Sequence, residues 1–298
     1  MISVIVCTYN RAPYIGKCLR HLADQTASKT SYEVIVIDNN STDQSSELIK
    51  EAIQRHQNTT IRYYLETTVG LSHARNRGIK ESSGRVLAFV DDDAFAAPKY
   101  VAEVDRYFAD HPEVVAVGGK IVPVYEEEAP AWMTHYLLPL VAAVDMGSSS
   151  KPYPRNKFPI GANMAFRSSV FEEIGNFNPA LGRIANELGA GEEKDLFLQL
   201  RAGGGLIHYA PEILVRHIIP AKRLEESYIR RMGQGVGRSE RQRLTTKPTG
   251  QVFRKIVSEM VKTIGTIVLF IAYALQGRLQ AATMLVKFRF WVLQGLIQ

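Results

Sequence analysis

Short apolar runs alternate with helical apolar periodicity through the first 93 residues, and this alternation limits the fold more than any other feature. Ile2-Ser3-Val4-Ile5-Val6-Cys7, Val34-Ile35-Val36-Ile37, Ile61-Arg62-Tyr63-Tyr64-Leu65 and Val86-Leu87-Ala88-Phe89-Val90 read as strands, and the near-continuous apolar ones are strands buried on both faces. Between them, Ile15, Leu19 and Leu22, then Leu48, Ile49 and Ile53, recur at helical spacing. Ser41 or Thr42 is expected to cap the second helix. Gly70 to Ser83 predicts a third helix with a basic face, ended by Gly84. The pattern predicts an α/β chain with a mostly parallel, doubly wound sheet. Ligands of such sheets bind beyond the carboxyl ends of the strands. Thr8–Arg11, Asp38–Asp43 and Asp91–Asp93 therefore fall along one rim.

The later chain is less regular. Val114–Ile121 reads as a strand, 122–159 as a Pro-rich loop region with the acidic run Glu126-Glu127-Glu128, and Ile160–Arg167 as a strand running through Gly161-Ala162-Asn163. Glu192 to Ala202 predicts a helix stopped by Gly203-Gly204-Gly205. Ile207–Ala210 and Ile213–His217 read as two short strands, with helices over 221–236 and most of 250–298. A length of 298 residues suits one large α/β domain, residues 1–220, with a helical extension over 221–298.

Charge separates the same two regions. Residues 1–200 carry 20 Lys+Arg against 25 Asp+Glu, and residues 201–298 carry 16 against 5. The basic tail suits anionic lipid or a phosphorylated ligand. Its run Arg230, Arg231, Arg238, Arg241, Arg243 and Lys247 has few interleaved aromatics, which disfavours a nucleic-acid platform. Residues 263–275 are uncharged, and at 1.5 Å per residue they span about 20 Å, short of a ~30 Å hydrocarbon core. No run of 18 uncharged apolar residues occurs, so no clear transmembrane span is expected. The segment over 250–298 suits peripheral contact with a membrane interface, a homo-oligomer, or packing on the body of the protein. Two cysteines, Cys7 and Cys18, and no signal-peptide pattern behind Met1 suit a cytoplasmic protein.

Asp91-Asp92-Asp93 follows a buried strand on the ligand-binding rim. Like charges so close repel one another unless a cation sits among them, and a hard divalent ion such as Mg²⁺ or Mn²⁺ suits carboxylates and phosphate oxygens. A solvated acidic turn is the alternative. Asp38 can accept N–H or O–H donors of a nucleoside, or form the turn that Asp-Asn-Asn-Ser-Thr-Asp encodes. Arg75 and Arg77 on the third helix suit a diphosphate, but they point about 200° apart on a helix and cannot both face one site. Glu192, Glu193 and Asp195 open a helix, where acidic residues are stabilising through the dipole alone; one of them can also serve as a general base. His217, at the end of a short strand, is either structural or the imidazole of a metal site.

Taken together, these blocks resemble a family 2 glycosyltransferase of the GT-A (Rossmann-like) fold. Val4–Arg11 is similar to that family's opening strand and nucleotide loop, and Val34–Asp43 to its second strand and loop. Gly70–Gly78 with Phe89–Asp93 resembles its Ala-Arg-Asn helix and Asp-x-Asp motif, and Gly161–Phe166 with Gly191–Leu196 its acceptor half. The resemblance implies a catalytic domain over 1–220, with a nucleotide half over about 1–120 and an acceptor half over about 121–220. It implies donor contacts from Thr8, Tyr9, Asn10, Arg11, Asp38, Asn40, Arg75, Arg77, Asp91, Asp92 and Asn163. Asp93, Asp91 and His217 would hold Mn²⁺ or Mg²⁺. Glu193, paired with Glu192, would be the base, with Gly161, Ala162 and Asp195 on the acceptor side. The implied reaction is inverting transfer of one sugar from a nucleoside-diphosphate sugar, with UDP favoured, to a glycan or lipid-linked saccharide at the cytoplasmic face of a membrane. The family's base is commonly Asp, so Glu193 is a longer variant. The Gln-x-x-Arg-Trp motif of processive synthases is missing, which argues for one sugar per encounter. A sugar-nucleotide nucleotidyltransferase and a non-catalytic scaffold of the same fold are the rival readings.

Overall fold

A computed structural model describes residues 1–181, 191–244 and 249–297; Lys247 and the side chain of Arg243 lie outside the described residues. In chain order the elements are β1 (Ile2–Thr8), α1 (Ala12–Ala23), β2 (Tyr32–Asp38), α2 (Ser45–Arg55), β3 (Ile61–Leu65), α3 (Leu71–Glu81), β4 (Val86–Phe89), β5 (Ala94–Ala96), α4 (Tyr100–Asp110), β6 (Val114–Tyr125), β7 (Lys151–Pro152), β8 (Met164–Arg167), α5 (Ser169–Glu173), α6 (Glu192–Ala202), β9 (Leu206–Ile219), α7 (Glu226–Leu244), α8 (Thr249–Leu275) and α9 (Leu279–Ile297). They form two compact units. One is Met1–Val124 with Ala142–Ile218, and the other is Tyr125–Val141 with Ile219–Gln298. The excursion at 125–141 therefore groups with the C-terminal helices rather than with the acceptor half.

In the first unit the sheet order is β3-β2-β1-β4-β8-β6-β9-β5, with β7 paired to β9. β1 pairs in parallel with β2 and β4, and β2 with β3, as the alternating pattern predicts. Beyond β4 the described pairings turn antiparallel: β8 with β4 and β6, and β5 and β7 with β9. The sheet is thus mixed rather than mostly parallel. Side chains alternate across it. Ile2, Val4 and Val6 join Leu19 and Leu22 of α1 and Val104 and Phe108 of α4 in one apolar cluster. Ile5, Ile35 and Ile37 join Ala74 of α3 and Leu196 and Phe197 of α6 in another. Both faces are covered, which is why β1 and β2 read as unbroken apolar runs.

Several expected boundaries shift for local reasons. α3 ends at Glu81, and Gly84 serves close packing instead, since a Cβ there would lie 2.5 Å from the Ser3 backbone nitrogen. Neither Ser41 nor Thr42 caps α2; Gln44 holds the cap position, and Asp43 Oδ1 accepts from the Ser45 N–H at 3.0 Å. Gly161–Asn163 is one turn of 3₁₀ helix, and β8 starts only at Met164. The two short strands expected before Pro220 are one continuous strand, β9.

In the second unit, Leu137 packs with Ile229 of α7, Tyr273 of α8 and Met284, Leu285 and Trp291 of α9. Backbones of α7 and α9 touch at glycines. A Cβ on Gly237 would lie 2.2 Å from the Val292 carbonyl oxygen, and one on Gly295 would lie 2.2 Å from that of Gln234. Ile256–Leu275 of α8 is long and apolar enough to cross a membrane, although Glu259 and Lys262 interrupt its apolar run.

Gly119 is the tightest backbone approach in the sheet, because a Cβ there would meet the Ile213 carbonyl oxygen at 1.9 Å and Asn163 Nδ2 at 2.2 Å. Gly119→Ala should destabilise the protein by about 1–3 kcal/mol or more, seen as a lower midpoint in chemical denaturation. An unchanged midpoint would contradict this packing.

Candidate active site at the strand ends

The carboxyl ends of β1 and β2 open into two loops that are stitched together. Asn10 takes a left-handed backbone, with φ 55°, and its Oδ1 accepts from the Thr42 N–H at 2.7 Å. In return the Asn10 N–H donates to Ser41 Oγ, the Arg11 N–H to Ser45 Oγ, and the Ala12 N–H to Asp43 Oδ2. Asp38 is buried; its Oδ1 accepts from the Ser41 N–H at 2.9 Å and its Oδ2 from the Tyr63 hydroxyl at 3.1 Å. Its carboxylate thus forms the turn, and Tyr63 supports it from β3. Asn39 completes the rim. It donates to the Glu66 and Thr68 carbonyls and accepts from the Gly70 N–H at 2.7 Å, fixing the start of α3.

Asp91-Asp92-Asp93 turns the chain from β4 into β5. β5 pairs with β9 so that Ala94 lies opposite His217, and the Ile218 N–H donates to the Asp93 carbonyl at 2.8 Å. This pairing delivers His217 Nε2 to 2.9 Å from Asp93 Oδ1, with both side chains 2% exposed or less. Arg11 brings a guanidinium to the same acids, 3.6 Å from Asp92 and 3.4 Å from Asp93. Burial pushes the Asp92 carboxyl up to about 7, against the pull of Arg11. Ligand atoms of Asp91, Asp93 and His217 lie within 4.8 Å of one another. Two carboxylate oxygens and an imidazole nitrogen suit Mg²⁺ or Mn²⁺, and the acids already draw Arg11 toward them, so the donor set fits a divalent ion.

A second charged cluster joins α3 to α6. Arg75 is buried, and donates to Glu192 at 3.1 Å and to Glu193 at 2.8 Å. Its guanidinium stacks 5.2 Å from the centre of the Phe177 ring. The Asn76 side chain holds the Phe177 backbone through a donor and an acceptor bond. Gly161 packs directly against the pair, since a Cβ there would lie 2.1 Å from Arg75 Nη2 and 2.2 Å from Glu193 Oε1 and would push them from this arrangement. Glu192 is committed on both oxygens, to Arg75 and to the Gly191 N–H at 3.0 Å. Glu193 differs. Its side chain is 25% exposed, and its bond to Arg75 uses Oε1. Burial pushes its pKa up, Arg75 pulls it back, and the charges of Glu192 and Asp91 push it up further. The charge of Asp91 thus bears on both Asp92 and Glu193.

Of the residues expected on the donor, Thr8, Arg11, Asp38, Asp91 and Asp92 gather along the rim, with Tyr9, Asn10 and Asn40 in its loops; Asn40 has a left-handed φ of 67°. Arg75 lies with the glutamates instead. Arg77 is not brought to either cluster; it pairs with Glu81 at 2.8 Å and stacks over Tyr64. Asn163 donates both amide hydrogens, to the Lys120 carbonyl at 3.0 Å and the Ile213 carbonyl at 2.8 Å, which ties β6 to β9. Ala162 is fully buried. Asp195 bonds Gln199 along α6 rather than joining the cluster. Sequence reasoning missed Asn39, Asn76, Tyr63 and Phe177. The Asn-Asn step after Asp38 signals only a turn, and nothing local marks Phe177.

Residues 3–175 match the sequence profile of glycosyl transferase family 2. A glucosyl-dolichyl phosphate glucuronosyltransferase of Haloferax volcanii is 28% identical over 61% of this chain and 57% of its own length. The chain therefore spans little more than half of that relative. A mannosyltransferase from Pyrobaculum calidifontis, solved with GDP-Man and Mn²⁺, superposes with a TM-score of 0.65 at 19% identity, over 99% of this chain and 86% of that one. S. aureus TarS 1-349, solved with UDP, gives a TM-score of 0.54 at 19% identity over 79% and 65%. The likeness shows the fold to be that of GT-A glycosyltransferases.

Removing Arg75 leaves two buried carboxylates without their cation. Arg75→Met should cost about 3–5 kcal/mol in chemical denaturation near neutral pH. With its pKa raised above the ordinary 4.5, Glu193 holds more protons folded than unfolded, so its contribution to stability falls as pH rises above that value. Without Arg75 that rise is larger, and the variant's deficit should grow as pH rises above the ordinary 4.5. A deficit independent of pH would contradict the triad's electrostatic role.

Proposed function

The chain belongs to glycosyl transferase family 2, and from that premise we propose that it transfers one sugar from a nucleoside-diphosphate sugar to a hydroxyl of a glycan or lipid-linked saccharide, with inversion at the anomeric carbon. One observation carries the reading: ligand atoms of Asp91, Asp93 and His217 gather within 4.8 Å of one another on the strand-end rim, and the charge of Asp91 is also felt by Glu193. The comparisons reported above give no support to nucleotidyl transfer or to a non-catalytic scaffold. A UDP-sugar is the favoured donor, supported by the UDP bound in TarS; the mannosyltransferase holds GDP-Man, so the nucleotide is a matter for the test.

In this proposal the rim binds the donor. The loops of Thr8–Arg11 and Asp38–Asn40 receive the nucleoside, and the Arg11 guanidinium faces the diphosphate. Asp91, Asp93 and His217 would hold Mn²⁺ or Mg²⁺, which supplies positive charge to the diphosphate as it leaves. Glu193 takes the proton from the acceptor hydroxyl while that oxygen forms its bond to the anomeric carbon. The bond from that carbon to the diphosphate breaks on the opposite face, which inverts the configuration. Arg75 orients Glu193 through Oε1, and a carboxyl raised toward neutrality is a better base than an ordinary one. Glu192 holds the triad together and does not reach the reactants. The Haloferax relative is named for a dolichyl phosphate substrate, which supports a lipid-linked acceptor and an active site near a membrane face.

The test compares Glu193→Gln with Glu192→Gln in release of nucleoside diphosphate from UDP-, GDP- and dTDP-sugars given glycoside and lipid-extract acceptors. Glu193→Gln should keep nucleotide affinity and lose about 10²–10⁴-fold in turnover. Glu192→Gln should chiefly lower thermal stability. Full turnover by Glu193→Gln would assign the base elsewhere.

A further inference from the structure

The second unit holds an apolar face that none of its own described elements covers. On α8, Met260, Val261, Ile264 and Val268 are each at least 60% exposed, and Ile256, Ile267 and Ile271 are each at least 51% exposed. At 100° per residue these seven side chains fall within an arc of about 140°, so they form one stripe along the helix. A stripe of this size on a water-facing surface marks an interaction site.

The rest of α8 is built for a surface without water. Its two charges in this stretch are neutralised within the hairpin. Glu259 pairs with Arg289 of α9 at 2.6 Å and with Lys262 at 2.8 Å. Arg289 is itself buried, and also donates to Thr263 Oγ1 and to the Glu259 carbonyl. The hydroxyls of Thr263 and Thr266 donate back to the Glu259 and Lys262 carbonyls four residues earlier. No polar group among these is left to the apolar side. Glu259 and Thr266 lie on the helix side away from the middle of the stripe, and Thr263 lies beside its edge.

Neighbouring helices decide how such a face meets lipid. The contacts Glu226–Lys287, Gln234–Gln294 and Arg241–Ile297 run in the same order along both helices, so α7 lies parallel beside α9 over its length. α7 exposes Arg230, Arg231, Arg238 and Arg241, which fall within about 100° of its surface. Were α8 and α9 to cross a bilayer, α7 would carry those arginines into hydrocarbon, where charged side chains are strongly disfavoured. We propose that α8 lies in the plane of an anionic membrane surface, with its apolar stripe in the acyl boundary and the α7 arginines available to lipid phosphates. This is the geometry of an interfacial helix, and the excess of basic residues over 201–298 is the charge complement it needs.

The experiment is flotation of the purified full chain with phosphatidylcholine vesicles, with and without phosphatidylglycerol. The wild type should float with the anionic vesicles and lose binding in high salt. The triple variant Val261→Asp, Ile264→Asp and Val268→Asp changes exposed positions only; it should keep its circular dichroism and melting behaviour yet bind about tenfold more weakly or worse. Arg230→Glu with Arg231→Glu should weaken binding to anionic vesicles without touching α8. Tryptophans placed singly at Ile256, Ile264 and Ile271 should be quenched alike by shallow brominated lipid. Graded depths along those three sites would show a spanning helix and overturn the proposal. So would a wild type that stays in the aqueous phase, a triple variant that floats as well as wild type, or a stripe buried in a stable dimer that ignores vesicles.

Discussion

Arg75 is the interaction on which the site depends. Moving three charges out of water is costly, and the arrangement is tolerable only while all three meet. Each component therefore constrains another part of the chain. α3 carries Arg75 inward, α6 begins with two glutamates, the turn before β8 places a glycine against both side chains, and Phe177 flanks the guanidinium. The result links the parallel strands, which α3 serves, to the antiparallel half, which α6 covers. It also leaves Glu193 as the glutamate of the pair with part of its side chain exposed.

The acidic turn solves a related problem with other means. Asp92 and Asp93 are buried side by side at a strand end, and Arg11 from the loop after β1 and His217 from β9 come to meet them. Pairing of β5 with β9 is what brings His217 there, so a three-residue strand has a large effect on the chemistry. Cys18 lies under the turn, its thiol 3.7 Å from the Asp91 carbonyl, and Cys7 is pushed up to about 12 by burial. Both thiols are protonated neighbours of the site rather than nucleophiles.

Much of this was legible in the residues. The first four strands, their helices and the rim at Thr8, Asp38 and Asp91 follow from periodicity, because both sheet faces are buried and the apolar runs are unbroken. What failed to show in sequence depends on distant partners. Arg75 and Glu193 stand 118 residues apart, so the arginine reads as a phosphate ligand until the glutamates are placed beside it. The angle between Arg75 and Arg77 on the helix shows that one of them turns away, and the structure shows that it is Arg77. Asn163 reads as a ligand residue, yet its amide hydrogens serve two backbone carbonyls from different strands. β9 looked like two strands because Pro211 and Glu212 interrupt the apolar pattern without breaking the ladder. In α8, Glu259 and Lys262 seem to break an apolar helix, and only Arg289 on the next helix shows how their charge is accommodated.

The central claim is that the strand-end rim binds a nucleoside diphosphate with the help of a divalent ion held at the acidic turn. Isothermal titration of the wild-type chain with UDP, GDP, dTDP and CMP, each with and without Mn²⁺, tests it most directly. The account predicts that one nucleoside diphosphate binds about tenfold or more tightly with the metal present, and that CMP does not. Binding that ignores Mn²⁺, or no binding by any of the four to the folded protein, would contradict it.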